Sequence, residues 1–390
     1  MSIKMEKTQD IAIELNQQKV VVTEPKKRKH AWIGMIFLLL IIGFGIFLMF
    51  RITDLIAGDN LKNFGEAFGS IDVKYLLISI FIAILIPVLV MVEYGIVTRA
   101  VTGKVRKRVI IKTTLLGKYY DFITPFSTGS QPMQIHYLHK HKYSGAESSA
   151  IIFIRYSINI VCWLIVGITL MFVGYSTLSS ISNNTSRLFL LIAGIIGIAA
   201  NLLFPLLVLI FVIAPKFANK LTGFILKLGT KLRIVKNPGK TLEKANKTVY
   251  DFRMCFKTMA KKPVHFTLLV LLSIFEYFIT FALPFFVIKS FTPLGWNRLF
   301  DVAGLNAYST YAVSFIPTPG NAGGMEISSA LAFNSIAPEV AVYTVLVWRF
   351  LTYYIFILVG ISLSIFDFIK KAVVISKELK RTKRVEKNNE

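Results

Sequence analysis

Thr124-Pro125-Phe126-Ser127-Thr128-Gly129 is matched 194 residues later by Thr318-Pro319-Gly320-Asn321-Ala322-Gly323. Both read T-P-x-x-x-G, and an arginine stands thirty residues after each proline, Arg155 in the first case and Arg349 in the second. Upstream of each motif, inside a hydrophobic stretch, stands the same dipeptide, Glu93-Tyr94 and then Glu276-Tyr277. The chain therefore reads as two copies of one unit. Chance similarity between two loops rich in proline and glycine is the competing reading. The shared order of elements and the identical proline-to-arginine spacing favour duplication, although the glutamate-to-proline spacing is eleven residues longer in the second copy. Proline and glycine interrupt helices, and a bilayer tolerates unpaired backbone only where protein or a water-filled cavity receives it. The two broken segments are thus the expected working parts.

Composition sets the class. Hydrophobic residues make up 54% of the 390, thirty-two are phenylalanine and only 17% are charged, a balance that excludes an ordinary soluble domain. The net charge of +24 rests on this minority of residues, which must gather in loops and tails where they face anionic lipid. Cys162 lies in an apolar stretch and Cys255 in a basic one, and the pair reads as isolated reduced thiols.

Apolar runs long enough to cross about 30 Å of hydrocarbon occur at residues 31–50, 75–98, 148–174, 187–213, 264–288 and 340–368. Thirty mostly polar residues precede the first, which therefore reads as a span and not a cleaved signal. Basic short loops stay in the cytoplasm. Residues 99–112 carry six basic and no acidic side chains, residues 216–262 thirteen against two, and the tail after Phe368 eight against three. Residues 51–72 carry two basic and four acidic side chains, and residues 176–186 are uncharged, so both are expected outside. Both termini are then cytoplasmic. The motif segments become re-entrant hairpins, residues 112–133 entering from the cytoplasm and residues 300–337 from outside. The predicted fold is an all-α integral membrane protein, with six transmembrane helices plus two re-entrant helical hairpins in an inverted repeat. The predicted organisation is a cytoplasmic tail over 1–30 and a membrane domain over 31–369, followed by a basic tail over 370–390. Within the domain, repeat one spans 75–174 and repeat two 264–368, separated by a basic cytoplasmic segment over 215–262. Its apolar residues Leu221, Ile225, Leu228 and Leu232 are spaced for a helix lying on the anionic inner leaflet, a reading preferred to nucleic-acid binding.

A charge inside the bilayer needs a partner or water. The simplest arrangement pairs Glu93 with Arg155 and Glu276 with Arg349, within a repeat or crosswise, the guanidinium forks being also suited to phosphate. A purely structural ion pair is the alternative. In the first turn, which begins with Thr124 and Pro125, Ser127, Thr128, Gly129 and Ser130 offer hydroxyls and accessible backbone N–H groups, and the first five of these six are candidate substrate-binding residues. In the second, Thr318, Pro319, Asn321, Gly323 and Gly324 precede a half-helix expected to start near Met325, whose N-terminus favours anions. Tight turns that merely pack are the alternative here. Glu326 suits the positive end of that half-helix, and Glu93, Glu276 and Glu326 are the candidates for gating or proton coupling. His136, His139 and His141 lack the further ligands of a zinc site and read as contacts to headgroup phosphate or water. Neither turn is a nucleotide-binding P-loop, and no nucleophile elbow or dinucleotide turn is present. No catalytic residue, metal or cofactor is expected.

At these residues the chain resembles the lysylphosphatidylglycerol synthase transmembrane-region family, also called flippase-like integral membrane proteins. The stretches that carry the resemblance are residues 121–132, Asp-Phe-Ile-Thr-Pro-Phe-Ser-Thr-Gly-Ser-Gln-Pro, and residues 317–326, Pro-Thr-Pro-Gly-Asn-Ala-Gly-Gly-Met-Glu. The similarity covers about residues 32–369 and is closest to members from Gram-positive bacteria. Where many relatives have Gly-Glu and Arg-Glu, this chain has Ser130-Gln131 and Met325-Glu326. The resemblance implies a lipid translocase of the cell membrane, with a phospholipid such as aminoacyl-phosphatidylglycerol or a lipid-linked sugar as substrate. In bifunctional relatives this module moves aminoacylated phosphatidylglycerol outward, an activity connected with antibiotic resistance, while a separate soluble domain makes the lipid. That soluble domain is expected to be missing here, which makes a separate lipid-synthesising enzyme a candidate partner, alongside self-association into a homo-oligomer. The rival readings are a phosphatidylglycerol lysyltransferase or a membrane subunit of one, and a secondary transporter of a soluble anion.

Overall fold

The computed structural model describes residues 64–214 and 257–366, with scattered positions between those ranges and one at residue 43. The expected first span, both tails and most of the basic segment, with Cys255 and its apolar stripe, lie outside the described residues. The described chain is helical without strands. In order it forms α1 (Phe64–Gly69), α2 (Val73–Thr102), α3 (Lys107–Ile123), α4 (Ser130–Lys140), α5 (Gly145–Val173) and α6 (Tyr175–Ser179). There follow α7 (Asn184–Ile213), α8 (Pro263–Phe291), α9 (Leu299–Val313), α10 (Gly324–Phe333) and α11 (Ala341–Arg349), the last prolonged by a π-helical turn over Phe350–Tyr354 and by further helix to Phe366. Five of these helices, α2, α5, α7, α8 and α11 with its extension, are long and apolar enough to cross a membrane. They coincide with the last five runs expected from hydropathy. Short helices α1 and α6 fall in loops that the hydropathy pattern leaves featureless.

The boundaries have local causes. Asp72 caps α2 by accepting from the Lys74 N–H at 2.9 Å, and Gly103, at φ +74°, closes the other end. Ser144 and Glu147 form a reciprocal capping box at the start of α5, at 2.7 and 3.1 Å. Three threonines that precede proline, a position biased toward extended backbone, follow the end of a helix. These are Thr124, Thr318 and Thr292, with φ/ψ of −112/146°, −103/149° and −147/145°. Thr124 and Thr292 directly end α3 and α8, while Thr318 follows α9 after a short turn.

Helices α2 and α8 pack along much of their lengths and run antiparallel. The Asp72 N–H donates to Ser290 O at 2.7 Å at one end, and Lys262 Nζ donates to Ala100 O at 2.7 Å at the other. Helices α5 and α9 cross where glycine meets glycine. A Cβ on Gly174 would lie 2.9 Å from Gly304 Cα, so the crossing tolerates no side chain at either position. One buried cluster occupies α8 to α11 with parts of α2 and α5, and a second joins the C-terminal half of α2 to α3, α4 and the first half of α5. Outward, Leu77, Phe81, Ile84, Val88 and Val92 form an exposed apolar stripe along α2, as expected of a face in contact with acyl chains.

Two turns, two arginines and a polar cavity

The two motifs fold alike. Each T-P forms a three-residue 3₁₀ turn, Pro125–Ser127 and Pro319–Asn321, and the second residue after each proline has a left-handed backbone, Ser127 at φ +51° and Asn321 at φ +56°. That conformation is costly for a residue with a side chain, so surrounding structure must hold it. The turns link α3 to α4 and α9 to α10, and they pack against each other. Tyr353, on the π-helical turn after Arg349, bridges them: its hydroxyl lies 3.3 Å from Phe122 O and 3.2 Å from Pro319 O. Gly320, at φ +57°, lies against the Tyr353 ring, and a Cβ there would run into it. In the first hairpin, Thr124 Oγ1 accepts from the Gly129 N–H at 2.9 Å and donates to Tyr120 O at 2.7 Å.

The arginines have different partners. Arg349 donates from Nε to Glu326 Oε1 at 2.7 Å and from Nη2 to Gly320 O at 3.2 Å, and its guanidinium lies 4.1 Å from the centroid of the Tyr353 ring. Glu326 also accepts from the Gly323 N–H at 2.6 Å, so one carboxylate both caps α10 and pairs with Arg349. Both residues are buried. This corrects the expected pairing of Glu276 with Arg349. The half-helix brings its own acid to Arg349, and Glu326 reaches it first.

Arg155 instead meets acids from both copies. It donates from Nε to Glu93 Oε2 at 2.9 Å, with Nη2 2.8 Å from the same oxygen, and Nη2 lies 3.6 Å from Glu276 Oε2. The expected pairing of Glu93 with Arg155 is therefore present, and Glu276 approaches the same arginine crosswise. Glu93 is wholly buried and well supplied, accepting also from Asn159 Nδ2 at 3.2 Å and from the Ser273 hydroxyl at 2.9 Å. Glu276 Oε2 has no hydrogen-bond partner. Tyr94 underlies the site: its ring lies 4.5 Å from the Arg155 guanidinium, and its hydroxyl donates to Gln134 Oε1 at 2.9 Å. Gln134 in turn donates to Thr113 O at 3.1 Å, in the space left by Gly117. Each Glu-Tyr acid thus faces one arginine, while Tyr94 ties α2 to the first hairpin.

Arg155 and Glu276 open onto a cavity of about 320 Å³, bounded by α2, α3, α4, α5, α7, α8 and α9 and by both motif turns. Ser127 and Asn321 line it, as do Lys118 and Asp121 from α3, Asn159 from α5 and Asn201 from α7. The Oδ1 atoms of Asp121 and Asn159 are buried there without a protein partner, which suits a wet cavity that can exchange water for a ligand. Of the expected residues, Arg155, Ser127, Asn321 and Glu276 line this cavity. Thr124, Pro125, Thr128, Gly129, Thr318, Pro319, Gly323 and Gly324 shape the turns, and Glu93, Glu326 and Arg349 lie behind them; none of these is among its lining residues. Lys118, Asp121, Asn159 and Asn201 were not among the expected residues. The i, i+4 spacing of Arg155 and Asn159 and the i, i+3 spacing of Lys118 and Asp121, polar pairs within membrane-depth helices, are the signals that mark them. Of the histidines, His139 and His141 hold Nδ1 3.1 Å from Tyr143 O and 2.8 Å from Tyr137 O. Those two rings are engaged locally at the end of α4.

Compared with known families, residues 33–360 match the one described as the lysylphosphatidylglycerol synthase TM region. The curated proteins and the solved structures contain no match to the chain.

Proposed function

Because the chain belongs to the lysylphosphatidylglycerol synthase transmembrane-region family, we propose that it is a lipid translocase. Its substrate would be a phospholipid such as aminoacyl-phosphatidylglycerol, or a lipid-linked sugar, carried between the leaflets of the cell membrane. The observation that carries this reading is the polar cavity, which holds Arg155 and Lys118 among membrane-spanning helices and lies beside both broken hairpins. A guanidinium there gives a phosphodiester a bidentate partner, and Lys118 adds a second cation. Asp121 and Glu276 suit the amine of an aminoacylated headgroup. The acyl chains would remain in the surrounding lipid while the headgroup moves through the cavity. The antiparallel course of α2 and α8, the helices that carry the two Glu-Tyr dipeptides, supports an inverted repeat in which each hairpin closes one side of the path.

The test is translocation of fluorescent phosphatidylglycerol, lysyl-phosphatidylglycerol and phosphatidylcholine in vesicles containing the purified protein. A headgroup-dependent rate above that of protein-free vesicles is expected. Equal rates with and without protein would reject the reading. Lysyl-phosphatidylglycerol formed by the purified chain from phosphatidylglycerol and lysyl-tRNA would replace it with the lysyltransferase alternative.

A further inference from the structure

Three acids were candidates for carrying a proton, and their surroundings separate them. Glu326 is fixed by Arg349 and by the Gly323 N–H. Glu93 is fixed by Arg155, Asn159 and Ser273. Glu276 has a buried oxygen without a hydrogen-bond donor, lies on the cavity wall, and reaches Arg155 only at 3.6 Å, while that arginine is already engaged by Glu93 at 2.8 Å. One guanidinium therefore faces two carboxylates. The imbalance arises because Glu326 has taken the arginine of the second copy. A proton on Glu276 would satisfy that unpaired oxygen and remove the second negative charge beside Arg155.

The groups around Glu276 set what protonation does. Helix α2 contributes Glu93 and Tyr94, α3 contributes Lys118 and Asp121 across the cavity, and α5 contributes Arg155, Tyr156 and Cys162. Its own helix adds Tyr277, α9 and the residue after it present the hydroxyls of Thr310 and Ser314 to the cavity, and Arg349 of α11 is held by Glu326. With Glu276 ionised, Arg155 is offset by two acids. When Glu276 takes a proton from cavity water, one of those charges is removed and the outer edge of the guanidinium faces the cavity with less competition. We propose that Glu276 is a proton-binding site whose occupancy controls how strongly Arg155 holds an anionic phosphate group. Protonation would favour capture of the anion, and its release would accompany loss of the proton. The inference rests on the reading above in taking Arg155 as the anion-binding residue.

Binding of short-chain phosphatidylglycerol to the purified full-length protein, followed by thermal stabilisation in a neutral detergent, tests this without requiring transport. Inorganic phosphate is the lipid-free arm. The wild type should bind about tenfold more tightly under mildly acidic than mildly alkaline conditions, the effect of one pK unit of linkage. Glu276→Gln, which imitates the protonated acid, should bind tightly under both, and Glu276→Asp should keep the dependence. Infrared difference spectra across the same titration should show a protonated carboxyl band that is absent from Glu276→Gln. An unchanged pH dependence in Glu276→Gln, or retention of the band, would overturn the proposal. Glu276-dependent binding of inorganic phosphate equal to that of the lipid would support the proton site while removing lipid as the substrate. Intact Glu276-dependent lipid binding without vesicle translocation would reject the translocase alone.

Discussion

Arg155 and Arg349 occupy the same position after their motifs, yet their roles are predicted to separate. Arg155 borders the cavity as well as pairing with buried Glu93, so Arg155→Ala, compared at matched amounts of folded protein, should slow translocation about tenfold to hundredfold, the effect of losing a charged hydrogen bond worth about 1.5–3 kcal/mol. Arg155→Lys should fall between alanine and the wild type, because an ammonium lacks the bidentate fork. Initial rates in vesicles at matched protein density check this, and equal rates for wild type and alanine would remove Arg155 from the pathway. Arg349 is a strut between α11 and the second turn. Arg349→Ala leaves Glu326 buried and unpaired and should cost about 3–5 kcal/mol of stability, whereas Glu326→Gln with Arg349→Gln should recover much of it. Thermal unfolding in detergent of the single and double variants measures the coupling, and additive losses would contradict the pair. The sequence was sufficient to identify all four charges as membrane-depth residues needing partners. It did not decide who pairs with whom, because Glu276 and Glu326 are both acids within reach of the second copy, and only the way α10 brings Glu326 to Arg349 settles the choice.

The elements were legible where a local rule governs them. Long apolar runs fixed the described spans, and the Thr-Pro steps of the two motifs marked the broken segments, since the residue before proline is biased away from the helical region. What local rules leave open is that the two turns touch, that Tyr353 joins them and that a π-helical turn follows Arg349. The contacts involved join segments far apart in sequence, 231 residues in the case of Tyr353 and Phe122. Tyr353, within the π-helical turn, lies over Arg349 and against Gly320. Gly320→Ala should accordingly disturb the turn twice, through its positive φ and through the Tyr353 ring, and lower stability by about 1–3 kcal/mol. Tyr353→Phe keeps the ring and removes the hydroxyl that spans Phe122 and Pro319, with an expected cost of about 0.5–1.5 kcal/mol. The double variant Gly320→Ala with Tyr353→Ala should lose less than the sum of its single effects, because the clash disappears with the ring. Melting temperatures of the four proteins test this, and an additive result would mean that ring and glycine do not constrain each other.

For the whole molecule, two independent observations bear on orientation. The distribution of basic loops leads to the expectation that residues 99–112 and 216–262 are cytoplasmic. The tertiary contacts group the helix ends as follows: Arg106 Nη1 donates to His141 O at 2.8 Å and Lys262 Nζ reaches Ala100 O, while Asp72 pairs with Ser290 at the opposite end of the bundle. The starts of α3, α5 and α8 thus gather with the end of α2 on one side, and the start of α2 meets the end of α8 on the other. Loop charge and helix packing need not agree, since one reflects insertion and the other folding; here both group the end of α2 with the starts of α3 and α8. In a variant with Cys162 and Cys255 replaced by serine, single cysteines at Lys104 and Lys142 should react with a membrane-impermeant maleimide only after the inner face is opened, and cysteines at Asn183 and Thr292 should react in intact cells. Cysteines at Ser127 and Asn321, which line one cavity from the two turns, should both be protected by lipid substrate, and each should be reached from a different side as the cavity alternates. Labelling of Ser127→Cys and Asn321→Cys from the same side under every condition would leave the repeat without its inversion, because two hairpins opening to one face cannot gate a shared cavity toward both.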